Sequence, residues 1–145
     1  MRTIIQDHHG QVSAEVKRRI REVLRRAAVE LKVGAGDVVV EFVDREKMAE
    51  LNRRHLARRG PTDVLSFPAD IVDPAGRRHI GDIAICLEVI AAQASDHGHA
   101  VEREFEIMTL HGLLHLLGHD HESDDGEMET LEAELRRRLL DSSGG

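Results

Sequence analysis

The sequence predicts a small, single α+β domain in which a sheet packs with about five helices. Three observations carry this reading. β-branched, apolar stretches at 37–43, 64–67 and 81–86 have the length and composition of strands, and five other segments repeat apolar residues at helical spacing. No Ser/Pro-rich linker and no internal repeat divides the 145 residues. A chain of this length buries roughly two-thirds of the surface its unfolded form exposes, so no disulfide is needed for folding. We expect one domain over 1–140 and a loose tail at 141–145.

Ser13 is the expected N-cap of a first helix whose Val16, Ile20, Val23, Leu24, Ala27 and Leu31 lie on one face, with Gly34 as its stop. Asp37 to Val43 follows as a buried strand. Asp44 then caps a second helix carrying Met48, Leu51 and His55, and Pro61 ends that region. Val64 to Phe67 reads as a short strand closed by Pro68, and Gly81 to Cys86 as another, with Asp73-Pro74-Ala75-Gly76-Arg77 turning the chain between them. The final third is helical. Leu87 to Ala94 starts one helix; Val101 to Leu117, striped by Ile107, Leu110, Leu114 and Leu117, forms the next and ends at Gly118. Asp124 with Glu127 resembles a capping box for a last helix whose Met128, Leu131, Leu135 and Leu139 share a face, and Arg136, Arg137 and Arg138 suit its C-terminal dipole.

Charge is unevenly distributed. Residues 1–60 hold 14 Lys+Arg and 9 Asp+Glu, residues 61–145 only 6 against 18, and the whole chain carries a net charge of -7. Arg53, Arg54, Arg58 and Arg59 crowd one stretch, which reads either as a patch for a polyanion or as a solvated helix face and loop. The single cysteine, Cys86, forbids an internal disulfide, fits a reducing compartment and reads as a small buried hydrophobe. No apolar run approaches a signal-peptide core or the ~20 residues of a membrane span, so the expected location is the cytoplasm. With no Trp or Tyr and only three Phe, the chain lacks the aromatic platforms on which many single-strand readers stack bases.

The most informative segment is His111-Gly112-Leu113-Leu114-His115-Leu116-Leu117-Gly118-His119-Asp120-His121. On a helix, residues four apart stand about 40° apart around the axis, so His111 and His115 project from one face at a separation that one metal bridges. Gly118, free of Cβ, lets the chain leave the helix and bring His121 back as a third ligand. Three imidazoles without a thiolate suit Zn²⁺ with a fourth position left open, the pattern of a catalytic site. Ten histidines make chance spacings commoner, yet roughly 0.004 occurrences of this arrangement are expected in such a chain. The bland alternative is a set of structural histidines flanking an apolar stripe.

The same spacing matches the ligand pattern of metzincin proteases. Those enzymes place a Glu general base directly after the first histidine, where this chain has Gly112, so peptide hydrolysis by that route is disfavoured.

The histidine segment, followed by Glu122 and later by Met128, Glu129 and Glu132, resembles the YbeY family of bacterial rRNA-maturation endoribonucleases, whose signature has the form H-G-x-L-H-L-x-G-Y-D-H. Leu51-Asn52, the run Pro61 to Pro68 and Gly81 to Ile85 resemble further family segments in the same order, so the resemblance covers about residues 37–136. It implies a small α+β domain with a mixed sheet, expected here as four strands with about five helices. It also implies one zinc per chain on His111, His115 and His121, and single-strand-specific RNA cleavage in maturation of the 16S rRNA 3′ end and in ribosome quality control. Ribosomal RNA is the implied partner, with ribosomal proteins or a ribosome-associated GTPase beside it, and no membrane.

Two departures from the family stand out. His119 replaces a frequent Tyr. Leu56 stands where many members carry an Arg held to touch phosphate, four residues after the counterpart of Asn52; Arg58 and Arg59 are the nearby candidates for substrate contact. No general base is identified. Asp120 is read as orienting a ligand imidazole or as turning the helix exit. His97 and His99 read as a polar helix connection, with a second metal site as the alternative, and Ser66 has no visible base to make it a nucleophile. Three functions follow: a zinc-dependent RNA hydrolase, a zinc-stabilised ribosome assembly factor with little nuclease activity, and a metallopeptidase, the last argued down by Gly112.

Overall fold

The computed structural model describes residues 1–56, 64–119 and 126–141. Four strands, β1 (Arg2–Gln6), β2 (Asp37–Val43), β3 (Val64–Val72) and β4 (Arg78–Cys86), form one sheet in the order β1-β2-β4-β3. β1 and β4 each run parallel to β2, while β3 pairs antiparallel with β4, so the sheet is mixed, as the family resemblance implies. Helix α1 (Ala14–Glu30) links β1 to β2 and α2 (Arg45–Leu56) follows β2. Then α3 (Leu87–His97), α4 (Val101–Leu116) and α5 (Glu127–Arg136) complete an α+β domain with five α-helices among the described residues; a π-helical turn, Arg137–Asp141, continues α5.

β2 shows how the layers arise. Its alternation sends Val38, Val40 and Phe42 to one face, where with Ile83 and Ile85 of β4 they meet Ile20 and Leu24 of α1 and Leu110, Leu113 and Leu114 of α4. Met128 and Leu135 of α5 close the same core. Each such large side chain contributes about 1.5–3 kcal/mol by leaving water. Val43, Ala84 and Cys86 point to the other face, where Met48 of α2 and Leu65 form a smaller cluster. Cys86 is fully buried and unpaired, and burial pushes its thiol above the ordinary range, so it is an apolar filler rather than a reactive thiolate.

Local signals hold at several expected points. Ser13 Oγ accepts from Val16 N at 3.1 Å, Asp44 Oδ1 accepts from Lys47 N at 2.8 Å, and Asp73 Oδ1 accepts from Ala75 N and Arg77 N in the β3–β4 turn. Three details differ from the sequence reading. α1 stops before Gly34: Lys32 takes the left-handed conformation (φ 54°), because Leu31 and Val33 on either side pack on the core and Val33 N donates to Ala28 O at 2.9 Å. β3 runs through Pro68 to Val72, since an edge strand tolerates a missing N–H, and a bulge with Asp70 at φ 48° absorbs the irregularity. The N-cap of α5 is Gly126 (φ 90°), without a side-chain cap; Asp124, expected there, lies outside the described residues. β1 is also a strand that periodicity did not single out, held through its parallel register with β2. No helix of the described residues is long and apolar enough to cross a membrane.

Candidate metal centre

α4 is seated directly on the sheet, and two glycines make the close approach possible. A Cβ on Gly81 would stand 2.6 Å from Leu116 Cδ2 and 2.7 Å from Phe67 O; one on Gly112 would stand 2.9 Å from Ile83 Cγ2 and 3.2 Å from Val64 Cγ2. Ser66 Oγ donates to Gly112 O at 2.8 Å and so ties β3 to α4, a structural engagement rather than that of a free nucleophile. With Gly112 against the sheet, His111 and His115 emerge together, both half-buried.

Their Nε2 atoms lie 3.0 Å apart, with ring centroids at 4.6 Å and planes inclined by 70°. The other nitrogen of His111, Nδ1, lies 3.0 Å from Glu132 Oε1 and 3.2 Å from Oε2, across from α5. An ionised carboxylate only accepts, so this contact puts the proton on Nδ1 and leaves the Nε2 lone pair of His111 directed toward His115. That is the arrangement of a carboxylate–histidine–metal unit, and the donor atoms fit a zinc ion. Glu132 is only 13% exposed as a side chain. Periodicity alone did not mark it, since its partner lies 21 positions away; it figured only among the residues that carry the family resemblance.

Gly118 behaves as its position demands. At φ 94° it ends α4, with Gly118 N donating to His115 O and His119 N to Leu114 O at 3.0 Å, the paired bonds of a Schellman motif. The chain thus turns out of the helix immediately after the two ring-bearing positions. His119 is half-buried in that turn. His121, the third expected ligand, and Asp120 lie outside the described residues, as do Arg58 and Arg59.

Two other features complete the chemistry-bearing surface. His97, His99 and Glu104 meet at the α3–α4 junction and could hold a metal ion. On the far face of the sheet, beside α2, an open groove of about 660 Å³ is lined by Glu41 and Asp82 among apolar residues. His8 engages Glu41 at 2.9 Å and His79 engages Asp82 at 3.1 Å. An acidic lining repels anions.

Comparison with known proteins finds relatives of one family. The family model described as Endoribonuclease YbeY matches residues 3–140. A Koribacter versatilis protein named Endoribonuclease YbeY is 48% identical over 104 residues, 72% of this chain and 65% of that protein. A Mycolicibacterium gilvum protein of the same name is 41% identical over 115 residues, 74% of this chain and 64% of that protein. The match therefore spans a little under two thirds of the length of these relatives. A solved solution structure from Thermotoga maritima, 26% identical, superposes with a TM-score of 0.65 over 98% of this chain and 91% of that one.

Proposed function

This chain belongs to the YbeY endoribonuclease family, and from that premise we propose that it is a metal-dependent endoribonuclease whose zinc is held by His111, His115 and His121. The observation that carries the proposal is the convergence of the His111 and His115 Nε2 atoms at 3.0 Å, with Glu132 fixing the His111 ring from behind. When bound, zinc supplies a Lewis acid for a phosphoryl oxygen and a water of lowered pKa. The protein supplies position. α4 presents two imidazoles on one face, Glu132 holds a proton on His111 Nδ1, and the Gly118 turn ends α4 three positions before His121 in sequence. We assign Arg58 and Arg59 to the phosphates flanking the scissile bond, where their charge offsets the acidic C-terminal half.

The substrate of this reading is single-stranded ribosomal RNA, cleaved in the cytoplasm during maturation of the 16S rRNA 3′ end and in ribosome quality control. A ribosomal protein or ribosome-associated GTPase would supply contacts that an acidic domain lacks. A peptidase is disfavoured by packing as well as by sequence: a Cβ at position 112 would stand 2.9–3.3 Å from side-chain atoms of Ile83, Val64 and Ser66, so a Glu there would crowd the sheet. The second reading, a zinc-stabilised assembly factor, is favoured by one observation only, Leu56 in place of the family Arg.

Incubation of the purified protein with end-labelled single-stranded RNA, with and without a chelator, tests the proposal. Expected are chelator-sensitive cuts that vanish in His115→Ala, while a casein substrate survives. Chelator-insensitive cleavage, or activity undiminished in His115→Ala, overturns it. RNA binding without any cleavage by zinc-loaded protein favours the assembly factor.

A further inference from the structure

We infer that His97, His99 and Glu104 form a second binding site for a divalent transition-metal cation of the zinc class, one that clamps α3 to α4. α3 ends at His97; Gly98 at φ 69° and ψ 25° turns the chain, and His99 N donates to Ala94 O at 2.9 Å. The turn brings both imidazoles over the first turn of α4, where the Glu104 side chain is fully buried. His97 Nδ1 lies 3.1 Å from Glu104 Oε1, and His99 Nδ1 lies 3.1 Å from Oε2. The three candidate ligand atoms all stand within 4.8 Å of one another. In a tetrahedral site with metal–ligand bonds of about 2.0–2.2 Å, neighbouring ligand atoms stand roughly 3.3–3.6 Å apart, so the two 3.1 Å imidazole–carboxylate contacts widen by a few tenths of an ångström and the two imidazole nitrogens, within 4.8 Å of each other, close by up to about 1.2 Å.

Charge points the same way. A buried carboxylate needs compensation, and among the described residues no Lys or Arg pairs with Glu104; its ion-pair partners are the two imidazoles. The α4 N-terminus contributes about half a positive charge, and a cation held between the rings and the carboxylate would add to that compensation. Access is open, because the His97 and His99 side chains are 52% and 33% exposed while the carboxylate anchors the site from within. Two nitrogens and one carboxylate oxygen, with a fourth position toward water, form a donor set of the zinc class. The site is separate from the His111–His115 centre, but it braces the first turn of the helix that carries those ligands.

The test titrates metal-free protein with Zn²⁺ alone, following heat and the long-range ¹⁵N shifts of the histidine rings. Wild type is expected to take two equivalents. His97→Ala/His99→Ala should keep only the one held by His111 and His115, and His111→Ala/His115→Ala only the other. In that second variant Zn²⁺ should still raise Tm and shift the Nδ1 resonances of His97 and His99. Both pairs of rings are solvent-accessible, so folding of the variants is checked by the same melts. A wild type that binds one equivalent, lost in His111→Ala/His115→Ala, overturns the inference. So does a second equivalent that persists in His97→Ala/His99→Ala, which marks adventitious binding elsewhere. Failure of the His111–His115 centre instead removes the other equivalent and leaves this one intact.

Discussion

His111 donates from Nδ1 to Glu132 Oε1 at 3.0 Å, joining α4 to α5 through the ring whose opposite nitrogen faces His115. Glu132→Gln keeps the shape but turns a charged acceptor into a neutral amide that no longer dictates the tautomer. The expected result is a 10- to 100-fold loss of zinc affinity for the equivalent held by His111 and His115, the usual effect of removing a carboxylate behind a ligand histidine. Competition with a chelator of known affinity measures it, with Glu132→Asp as the partial rescue. Unchanged affinity in Glu132→Gln would reduce the contact to an ordinary helix–helix hydrogen bond.

Gly81 decides how closely α4 approaches the sheet. Its missing Cβ leaves room for Leu116 Cδ2 at 2.6 Å and for Phe67 O at 2.7 Å, the second a backbone atom of a paired strand that cannot step aside. Gly81→Ala should therefore destabilise the domain by about 1–3 kcal/mol, as overpacking does. A denaturation midpoint that falls at constant m-value checks this. A variant as stable as wild type would mean that α4 sits farther from β4 than described.

The difference between what the sequence disclosed and what it concealed follows the range of the interactions. Ser13, Asp44 and Gly118 act on backbone groups within five positions, so their roles could be read from local chemistry. The pair His111 and His115 was legible for the same reason, being one helical turn apart. β1 owes its existence to a parallel partner 35 residues away, and Pro68 is tolerated only because β3 is an edge, neither of which is written locally. Lys32 adopts the conformation that Gly34 seemed made for because burial of Leu31 and Val33 fixes the turn earlier. The junction of His97 and His99 with Glu104 depends on the angle between α3 and α4, which no spacing rule encodes.

Acid sensitivity has an identifiable contributor in the first turn of α1. Glu15 accepts hydrogen bonds from Arg18 at 2.7 Å and from Arg19 at 3.0 Å, and these hold its carboxyl at about 2, below an ordinary value near 4.5. The folded-state pKa is depressed, so the contribution is present above about pH 4.5 and is lost as pH falls toward 2. Glu15→Gln should lower Tm slightly at neutral pH and flatten the acid limb between those values. Because the pair is solvent-exposed, the difference should shrink in high salt. Melts from pH 2 to 7 at two ionic strengths decide it; identical acid limbs would show that the pairing is absent in solution.

The last prediction concerns where an acidic domain holds RNA. Residues 61–145 carry 18 Asp+Glu against 6 Lys+Arg, so phosphate binding should depend on the basic sequence segment from Arg53 to Arg59. Each Arg that neutralises one phosphate of a single strand adds about 0.7 to the slope of log affinity against log salt. Replacing Arg58 and Arg59 with Ala should thus flatten that slope by about 1.4 and weaken RNA binding, with zinc content unchanged. Filter binding of single-stranded RNA across a salt series, with metal analysis of the same samples, reads both quantities. A double variant with unaltered affinity, slope and cleavage would identify these arginines as a solvated surface. The phosphate contact absent at Leu56 would then have no local substitute, and the assembly-factor reading would rise above the nuclease one.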